Sequence, residues 1–483
     1  MEPSSTAFSL WQALDSSHIK RSLRMLFAFC FITFGQPVYS PVCSLFASTV
    51  GFALLFYDIA KLDKKARFFW GASFFFLVQC VQLFWCTYHP VVAARGIFLL
   101  LPALMGMQFG LLCLLVNKKV ICSRFLFLVI PAVWTVLEWS RIFWCSGFYF
   151  NLVGLSMASW PITLQTASVF GVLGMSFWVM LTNVAFLRAF LTYKKSAFVV
   201  ALILACLPYL YGSLHLWLHT KRQQAYDAIH PHMNALVVHS KKVPEEFSPP
   251  PRPRLTPQQR SFNAWKELIT AIAPFYQKER LDLILMPEGV VPYGSTTLLF
   301  DSLEINSLFL SQFQTPFPHT TQPLLTSEDI AKEIAHLYSC PLIIGLEGIK
   351  QSKYGDRPLF YNSAFFFSNN PELPPQRYDK QVLVPMGEYI PFEFAKKWAA
   401  KYGVYDSFTP GDGAKPFISQ NHRIGASICY EETVGNLMRQ NAVQGATLLV
   451  NLTDDYWFPY SMLAQQHFEH ARPRTVENGV PLI

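Results

Sequence analysis

The first 216 residues are a succession of apolar runs, each close to the length that crosses a bilayer. A helix needs about 20 apolar residues to span ~30 Å of hydrocarbon. Seven runs meet that measure, near 23–39, 41–60, 66–87, 94–117, 123–144, 163–191 and 196–216. Charged residues are only 14% of the chain, against about 25% in an ordinary globular protein. Such a composition excludes disorder and places this half in a membrane. The first run follows Lys20, Arg21 and Arg24, like the start of a signal peptide, and ends at Gly35-Gln36-Pro37. No clean small-residue cleavage site follows it and further runs do, so it reads as a retained helix.

The formal net charge is +8, but its distribution argues against nucleic-acid binding. Through residue 216 there are 15 Lys+Arg and five Asp+Glu, with the basic residues clustered between apolar runs. Lys20–Arg24, Lys61–Arg67, Lys118–Arg124 and Arg188–Lys195 fall in alternate loops, while the intervening loops carry little more than Arg95 and Arg141. The positive-inside rule then puts the N-terminus in the cytoplasm. Seven spans carry everything after residue 217 to the other side, the periplasm of a Gram-negative cell. Glu138 and Arg141 sit at the outer end of the fifth run, either as a functional pair or as a helix-end ion pair at the interface. Trp144, Phe148, Tyr149 and Trp160 lie near them and read as an aromatic belt or as the floor of a lipid-facing site. Eight of the ten cysteines fall in the first 206 residues and no CxxC occurs, which excludes a disulfide framework and a zinc motif.

Composition changes near residue 217. Residues 217–256 read as a linker and a first strand, with Pro-Pro-Pro-Arg-Pro at Pro249–Pro253 as a loop, and residues 257–483 read as one α/β domain. Strands are expected at Ala235–His239, Leu281–Met286, Pro341–Gly345, Leu359–Phe367, Gln381–Val384, Arg423–Ile428 and Thr447–Leu452. Helices are expected at Gln258–Phe275, Ser327–Tyr338, Glu393–Tyr402, Glu432–Asn441 and Met462–Glu477.

Three polar residues stand at or beside strand ends, where open α/β folds carry their chemistry. Glu288 follows Leu283–Pro287, Lys380 precedes Gln381–Val384, and Cys429 ends Arg423–Ile428 just before an expected helix. A helix N-terminus and a neighbouring lysine would both lower a thiol pKa. Lysine can also hold a developing oxyanion, and glutamate can take the thiol proton. Cysteine, base and cation suffice for acyl transfer through a thioester. Singly, each residue has a plainer reading: a packed core thiol, a solvated turn carboxylate, a surface charge. Their joint position at strand ends favours chemistry.

The three segments resemble the Glu, Lys and Cys motifs of the nitrilase, or carbon–nitrogen hydrolase, superfamily. With the apolar half, almost the whole chain resembles the bacterial apolipoprotein N-acyltransferase family. The resemblance rests on Met286-Pro-Glu-Gly289, Tyr378-Asp-Lys380 through Val384-Pro-Met-Gly-Glu-Tyr-Ile-Pro391, Ile428-Cys-Tyr-Glu431, Trp457-Phe458 and Gln466-His-Phe468. Trp139 to Gly154 also resembles the family's loop after the fifth span.

The resemblance implies a seven-helix membrane bundle followed by a nitrilase-like αββα sandwich. It implies that a phospholipid such as phosphatidylethanolamine acylates Cys429, and that the amine of a diacylglyceryl-cysteine apolipoprotein then takes the acyl chain. Glu288 is then the base and Lys380 the oxyanion holder, with Glu388 and Glu431 as nearby carboxylates, Tyr430 at the border, and Asn362 and Trp457 in support. The implied protein is a monomer of the bacterial inner membrane, without metal or diffusible cofactor.

Three features depart from the family pattern. Asp454-Asp455 stands where Asn-Asp is usual, and Val238-His239 where a Gln is usual. The chain stops at Pro481-Leu-Ile483, where the family continues into further strands and a closing helix, so a shortened domain is expected. Competing readings are a membrane-tethered amidase with water as acceptor, a transporter, and an inactive shortened homologue. Transport is disfavoured because ionisable residues in the runs are few, mainly Asp58 and Glu138 near their ends.

Overall fold

The computed structural model describes residues 17–89, 95–144, 147–229, 232–239, 255–318, 322–351, 358–385, 387–390, 396–397, 407–419 and 422–483. The chain forms two compact units. The helical unit takes Met1–Trp144, Phe148–Arg222 and Tyr460–Glu477; the α/β unit takes Cys145–Gly147, Gln223–Pro459 and Asn478–Ile483.

All seven apolar runs fold as helices: α1 (Ser17–Thr33), α2 (Pro41–Ile59), α3 (Lys64–Gln82), α4 (Ile97–Cys113), α5 (Leu126–Phe143), α6 (Ala167–Thr192) and α7 (Lys195–Asp227). Among the described residues, four of them, α2, α5, α6 and α7, are long and apolar enough to cross a membrane. The composition change near 217 is not a helix end, since α7 continues to Asp227. Helices α3 and α4 approach through small residues. A Cβ at Gly106 would lie 2.7 Å from the Ala72 carbonyl oxygen, and one at Gly110 would lie 2.9 Å from that of Phe68. Close packing of this kind replaces the hydrophobic drive that lipid cannot supply between helices.

Buried polar side chains satisfy the places where helix geometry fails. Helix α2 contains a π-turn at Ala47–Gly51, which displaces backbone groups from the usual ladder. Asn183 of α6 accepts from Ala53 N–H at 3.1 Å and donates to the Ala47 carbonyl at 3.0 Å. Helix α6 kinks at Gly171, whose φ of +63° suits glycine. The Val172 N–H beside the kink donates to Glu477 Oε1 at 2.8 Å.

Glu477 belongs to the helix Leu463–Asn478, which groups with the helical unit except for its final residue, although it was expected inside the polar domain. Gln466 on this helix accepts from Trp85 Nε1 and donates to the Gln82 carbonyl, both at 3.0 Å. His470 Nε2 accepts from Asn151 N–H at 3.2 Å. Glu138 and Arg141 are buried within the helical unit. Glu138 accepts from Val153 N–H at 2.8 Å, and Arg141 Nε donates to Gln108 at 2.9 Å.

The α/β unit has a five-stranded sheet in the order β1 (Ala235–Val237), β2 (Leu283–Leu285), β5 (Leu342–Lys350), β6 (Leu359–Phe367), β7 (Gln376–Asp379). A three-stranded sheet has the order β10 (Leu448–Leu452), β9 (Arg423–Ile428), β8 (Phe417–Ile418), and β3 (Phe300–Asp301) pairs with β4 (Leu324–Leu325). Strand alternation sorts the core into layers. Leu285, Ile343 and Phe366 of the large sheet pack with Ala426, Ile428 and Val450 of the small one. Ile284 and Ile344 face Trp265 of α8 (Pro257–Ile272), Phe309 of α9 (Ser302–Phe313) and Ile334 of α10 (Ser327–Leu337). Leu449 packs on Met438 of α11 (Gly435–Val443). The result is an α-β-β-α layering.

Two expectations change here. The strand expected at Gln381–Val384 lies earlier, at β7, because the Gln381 and Val382 N–H groups donate to the Glu431 carboxylate instead of a ladder. Helix α9 and the short strands β3, β4 and β8 were not expected. The helix expected at Glu393–Tyr402 lies outside the described residues except for 396–397.

Replacing Asn183 with Leu should leave the Ala47 carbonyl and Ala53 N–H unsatisfied. At about 1–3 kcal/mol for each buried orphan, we expect a loss of about 2–6 kcal/mol. A lowered melting temperature in detergent supports this account, and an unchanged one contradicts it.

Candidate active site

Glu288, Lys380 and Cys429 each follow a strand directly or within three residues, after β2, β7 and β9. The turn holding Glu288 packs against β5 at Gly345, where a Cβ would come within 2.5 Å of Glu288 Cα and 2.7 Å of Gly289 N. Only a residue without a side chain lets the turn approach this closely.

The side chains meet around one buried ammonium. Lys380 Nζ donates to Glu288 Oε1 at 3.1 Å and to Glu388 Oε1 at 2.8 Å, with its side chain fully buried. Asn362, on β6, donates its amide to the same two oxygens, each at 2.7 Å. Its backbone carbonyl accepts from Lys380 N–H at 2.8 Å. Glu388 Oε2 accepts from Val384 N–H at 2.7 Å. Glu288 Oε2 accepts a long bond, 3.3 Å, from Asp454 N–H. The Glu288 oxygen Oε1 is thus the one shared with Lys380 and Asn362. Burial disfavours the Lys380 ammonium, but the neighbouring Glu288 and Glu388 carboxylates outweigh it and hold its pKa well above the ordinary lysine value.

Cys429 follows β9 with φ at +54°, a left-handed conformation that a non-glycine residue rarely adopts. The expected thiol activation takes a different form. Burial first, then the Glu288 charge, push the thiol pKa well above its usual value; Lys380 opposes them, and Asp455 and Glu388 add to the rise. The segment after it is a 3₁₀ turn, Cys429–Thr433, and α11 begins only at Gly435. One lysine therefore does not offset burial among carboxylates, and the resting group is a thiol beside the Glu288 carboxylate.

Glu431 is fully buried and organises the surrounding loops. Its Oε1 accepts from the N–H groups of Gln381 and Val382 at 2.7 and 3.0 Å. Its Oε2 accepts from Ile428 N–H at 2.8 Å and Tyr378 Oη at 2.9 Å. Burial pushes its pKa up to about 7, while the backbone donors and Lys380 favour the charged form. Tyr430 donates its hydroxyl to the Leu383 carbonyl at 2.9 Å. Trp457 lies exposed on the 3₁₀ turn Asp455–Trp457.

Tyr378, Asn451 and Asp454 were not among the expected site residues. Each joins the site through partners distant in sequence, so local patterning carried no signal for them. The departure at Asp454-Asp455 does mark the place. Burial, with Glu288 and Asp455 adding, pushes the Asp454 carboxyl up to about 6 against the pull of Tyr456 N–H and His239. His239, the other departure, lies with its ring centroid 5.7 Å from that of Tyr456 and tilted by 42°.

Residues 251–483 match the family model for carbon–nitrogen hydrolases, and residues 37–185 match that for the apolipoprotein N-acyltransferase N-terminal domain. The two matches define the class: an apolar helical unit joined in one chain to a carbon–nitrogen hydrolase domain. An apolipoprotein N-acyltransferase of Chlamydia pneumoniae is 30% identical over 472 residues, which is 94% of this chain and 83% of that protein. One of Chlamydia caviae is 30% identical over 493 residues, 96% and 84% of the two chains. One of Shewanella oneidensis is 25% identical, with the same coverage. The chain belongs to the apolipoprotein N-acyltransferase family.

The raised Asp454 carboxyl has a defined stability signature. Its folded pKa of about 6 exceeds the unfolded value of ~3.9, so the ionised form opposes folding above pH 6 and the opposition vanishes below about pH 4. Two pKa units correspond to ~3 kcal/mol at most, and partial exposure reduces that to about 1–2 kcal/mol. Asp454→Asn should melt higher than wild type at pH 7.5, with the gap closing toward pH 4. A gap that stays constant or widens in acid contradicts the assignment.

Proposed function

We propose that this chain N-acylates the N-terminal diacylglyceryl-cysteine of apolipoproteins, with a membrane phospholipid as donor and Cys429 as the acyl carrier. The observation that carries the reading is the Glu288–Lys380–Glu388–Asn362 cluster beside Cys429, in a chain that also has an apolar helical unit. Both substrates are lipid-anchored, so a helical unit of seven spans would keep the reacting thioester at the membrane surface and away from bulk water. The arrangement of basic loops supports a cytoplasmic N-terminus and a periplasmic α/β unit in the inner membrane of a monomer.

The resting thiol sets the order of events. Glu288 takes the Cys429 proton as the sulfur adds to the donor ester carbonyl. The carbonyl oxygen gains the negative charge, which the Lys380 ammonium stabilises. Collapse breaks the ester C–O bond, and the lysophospholipid alkoxide leaves with the proton returned from Glu288. The acceptor amine then adds to the thioester, gives a proton to Glu288, and the amide forms as the Cys429 sulfur departs and is reprotonated. Glu388 and Asn362 hold Lys380 and Glu288 in register; Glu431 and Tyr430 hold the loops on either side; Trp457 lines the approach. The donor is phosphatidylethanolamine.

Full-length protein in nanodiscs containing labelled phosphatidylethanolamine should transfer label to a diacylglyceryl lipopeptide, forming an amide that resists hydroxylamine. Cys429→Ser should abolish transfer. Labelled free fatty acid with no lipopeptide product would instead mean a hydrolase with water as acceptor, and the absence of both would overturn the reading.

A further inference from the structure

Cys429 holds a backbone conformation that its side chain does not favour, so something in the fold must hold it there. The neighbouring parallel strand supplies a direct contact. β10 pairs with β9 in a register that sets Asn451 opposite Ser427, two residues before the nucleophile. The Asn451 amide donates to the Cys429 carbonyl at 2.8 Å and to Ser427 Oγ at 3.0 Å. Ser427 Oγ in turn donates to the Val450 carbonyl at 3.2 Å, which leaves it an acceptor toward Asn451 and fixes the amide's orientation. The main chain of Asn451 is itself anchored, its N–H donating to the Ile483 carbonyl at 2.8 Å.

A trans peptide is planar, with its carbonyl and its N–H on opposite edges. A grip on the Cys429 carbonyl therefore fixes the whole Cys429–Tyr430 peptide plane. It sets ψ of the nucleophile, and with it the direction from which Sγ leaves the backbone. The contact is not required for strand pairing, since the β9–β10 ladder runs over five residue pairs through backbone groups.

We propose that Asn451 is a positioning residue for acyl transfer, holding the Cys429 carbonyl so that the strained nucleophile keeps the orientation in which its sulfur reaches the acyl carbon. This rests on the reading of Cys429 as the acyl carrier. Asn451 touches no reacting atom. Its effect falls on the rate of acylation, not on donor binding, and leaves the Glu288–Lys380 electrostatics unchanged.

The test compares Asn451→Leu, similar in shape but without the N–H donor, with Ser427→Ala, which removes the amide's other partner and leaves the carbonyl grip. Full-length variants in nanodiscs are assayed for acyl-enzyme formation from labelled phosphatidylethanolamine, and separately for alkylation of Cys429 by chloroacetamide, read by mass. A displacement of about 1 Å costs on the order of 100-fold in rate. Asn451→Leu should therefore acylate about 10- to 100-fold more slowly, with KM for the donor within about twofold and the pH midpoint unmoved. Its alkylation should slow several-fold, and Ser427→Ala should match wild type in both assays. The proposal is overturned if Asn451→Leu alkylates and acylates at wild-type rates, if KM rises instead of the rate falling, or if Ser427→Ala loses as much. Alkylation needs no acyl donor. If the wild type alkylates but never forms an acyl-enzyme, the acyl-carrier reading fails while the positioning role is still decided.

Discussion

Lys380 lies fully buried between Glu288 and Glu388, and without it two carboxylates would face each other across one asparagine amide. Breaking a buried ionic cluster by removing one partner is far more damaging than never having built it. The surrounding chain is arranged to keep that ammonium in place. Its backbone N–H is held by Asn362, its carbonyl accepts from Gly411 N–H, and the loop that follows is pinned by Val384 N–H on Glu388 and by Tyr430 on Leu383. Glu431 takes the two N–H groups just after Lys380, which ends β7 and turns the chain away from the sheet.

The same arithmetic of charge decides the state of the Cys429 thiol. Cys429 sits within reach of Glu288, Glu388 and Asp455 and of one lysine, in a dense setting. The balance favours a neutral thiol, and the proposed chemistry therefore needs Glu288 to accept its proton. A preformed thiolate would need a stronger positive field than Lys380 provides when two carboxylates already share it.

Much of the site was legible because strand ends are legible. Short apolar runs ending in Glu288 and Cys429 marked two of the three candidate positions, and the helices of the apolar unit followed from run length, although among the described residues only four are long and apolar enough to cross a membrane. Lys380 does stand beside a strand, but β7 precedes it where the expected strand follows it, since a buried carboxylate 50 residues away captures the N–H groups of Gln381 and Val382. The residues whose roles the sequence does not signal share one property. Asn183, Glu477, Tyr378 and Asn451 act on backbone or side-chain groups of other elements, and no local period records such a partnership. The grouping of the helix Leu463–Asn478 with the helical unit was hidden for a related reason. Its polar residues, Gln466, His470 and Glu477, look solvent-facing in sequence and are instead spent on buried partners.

The account stands or falls on a resting thiol that depends on Glu288. The most direct measurement is the pH dependence of Cys429 alkylation in the full-length protein, with and without Glu288→Gln. The account predicts a wild-type midpoint above that of an ordinary thiol, about 8.5, and a downward shift when the Glu288 charge is removed. A wild-type midpoint below 7, or an upward shift in Glu288→Gln, would mean a preformed thiolate and would contradict it.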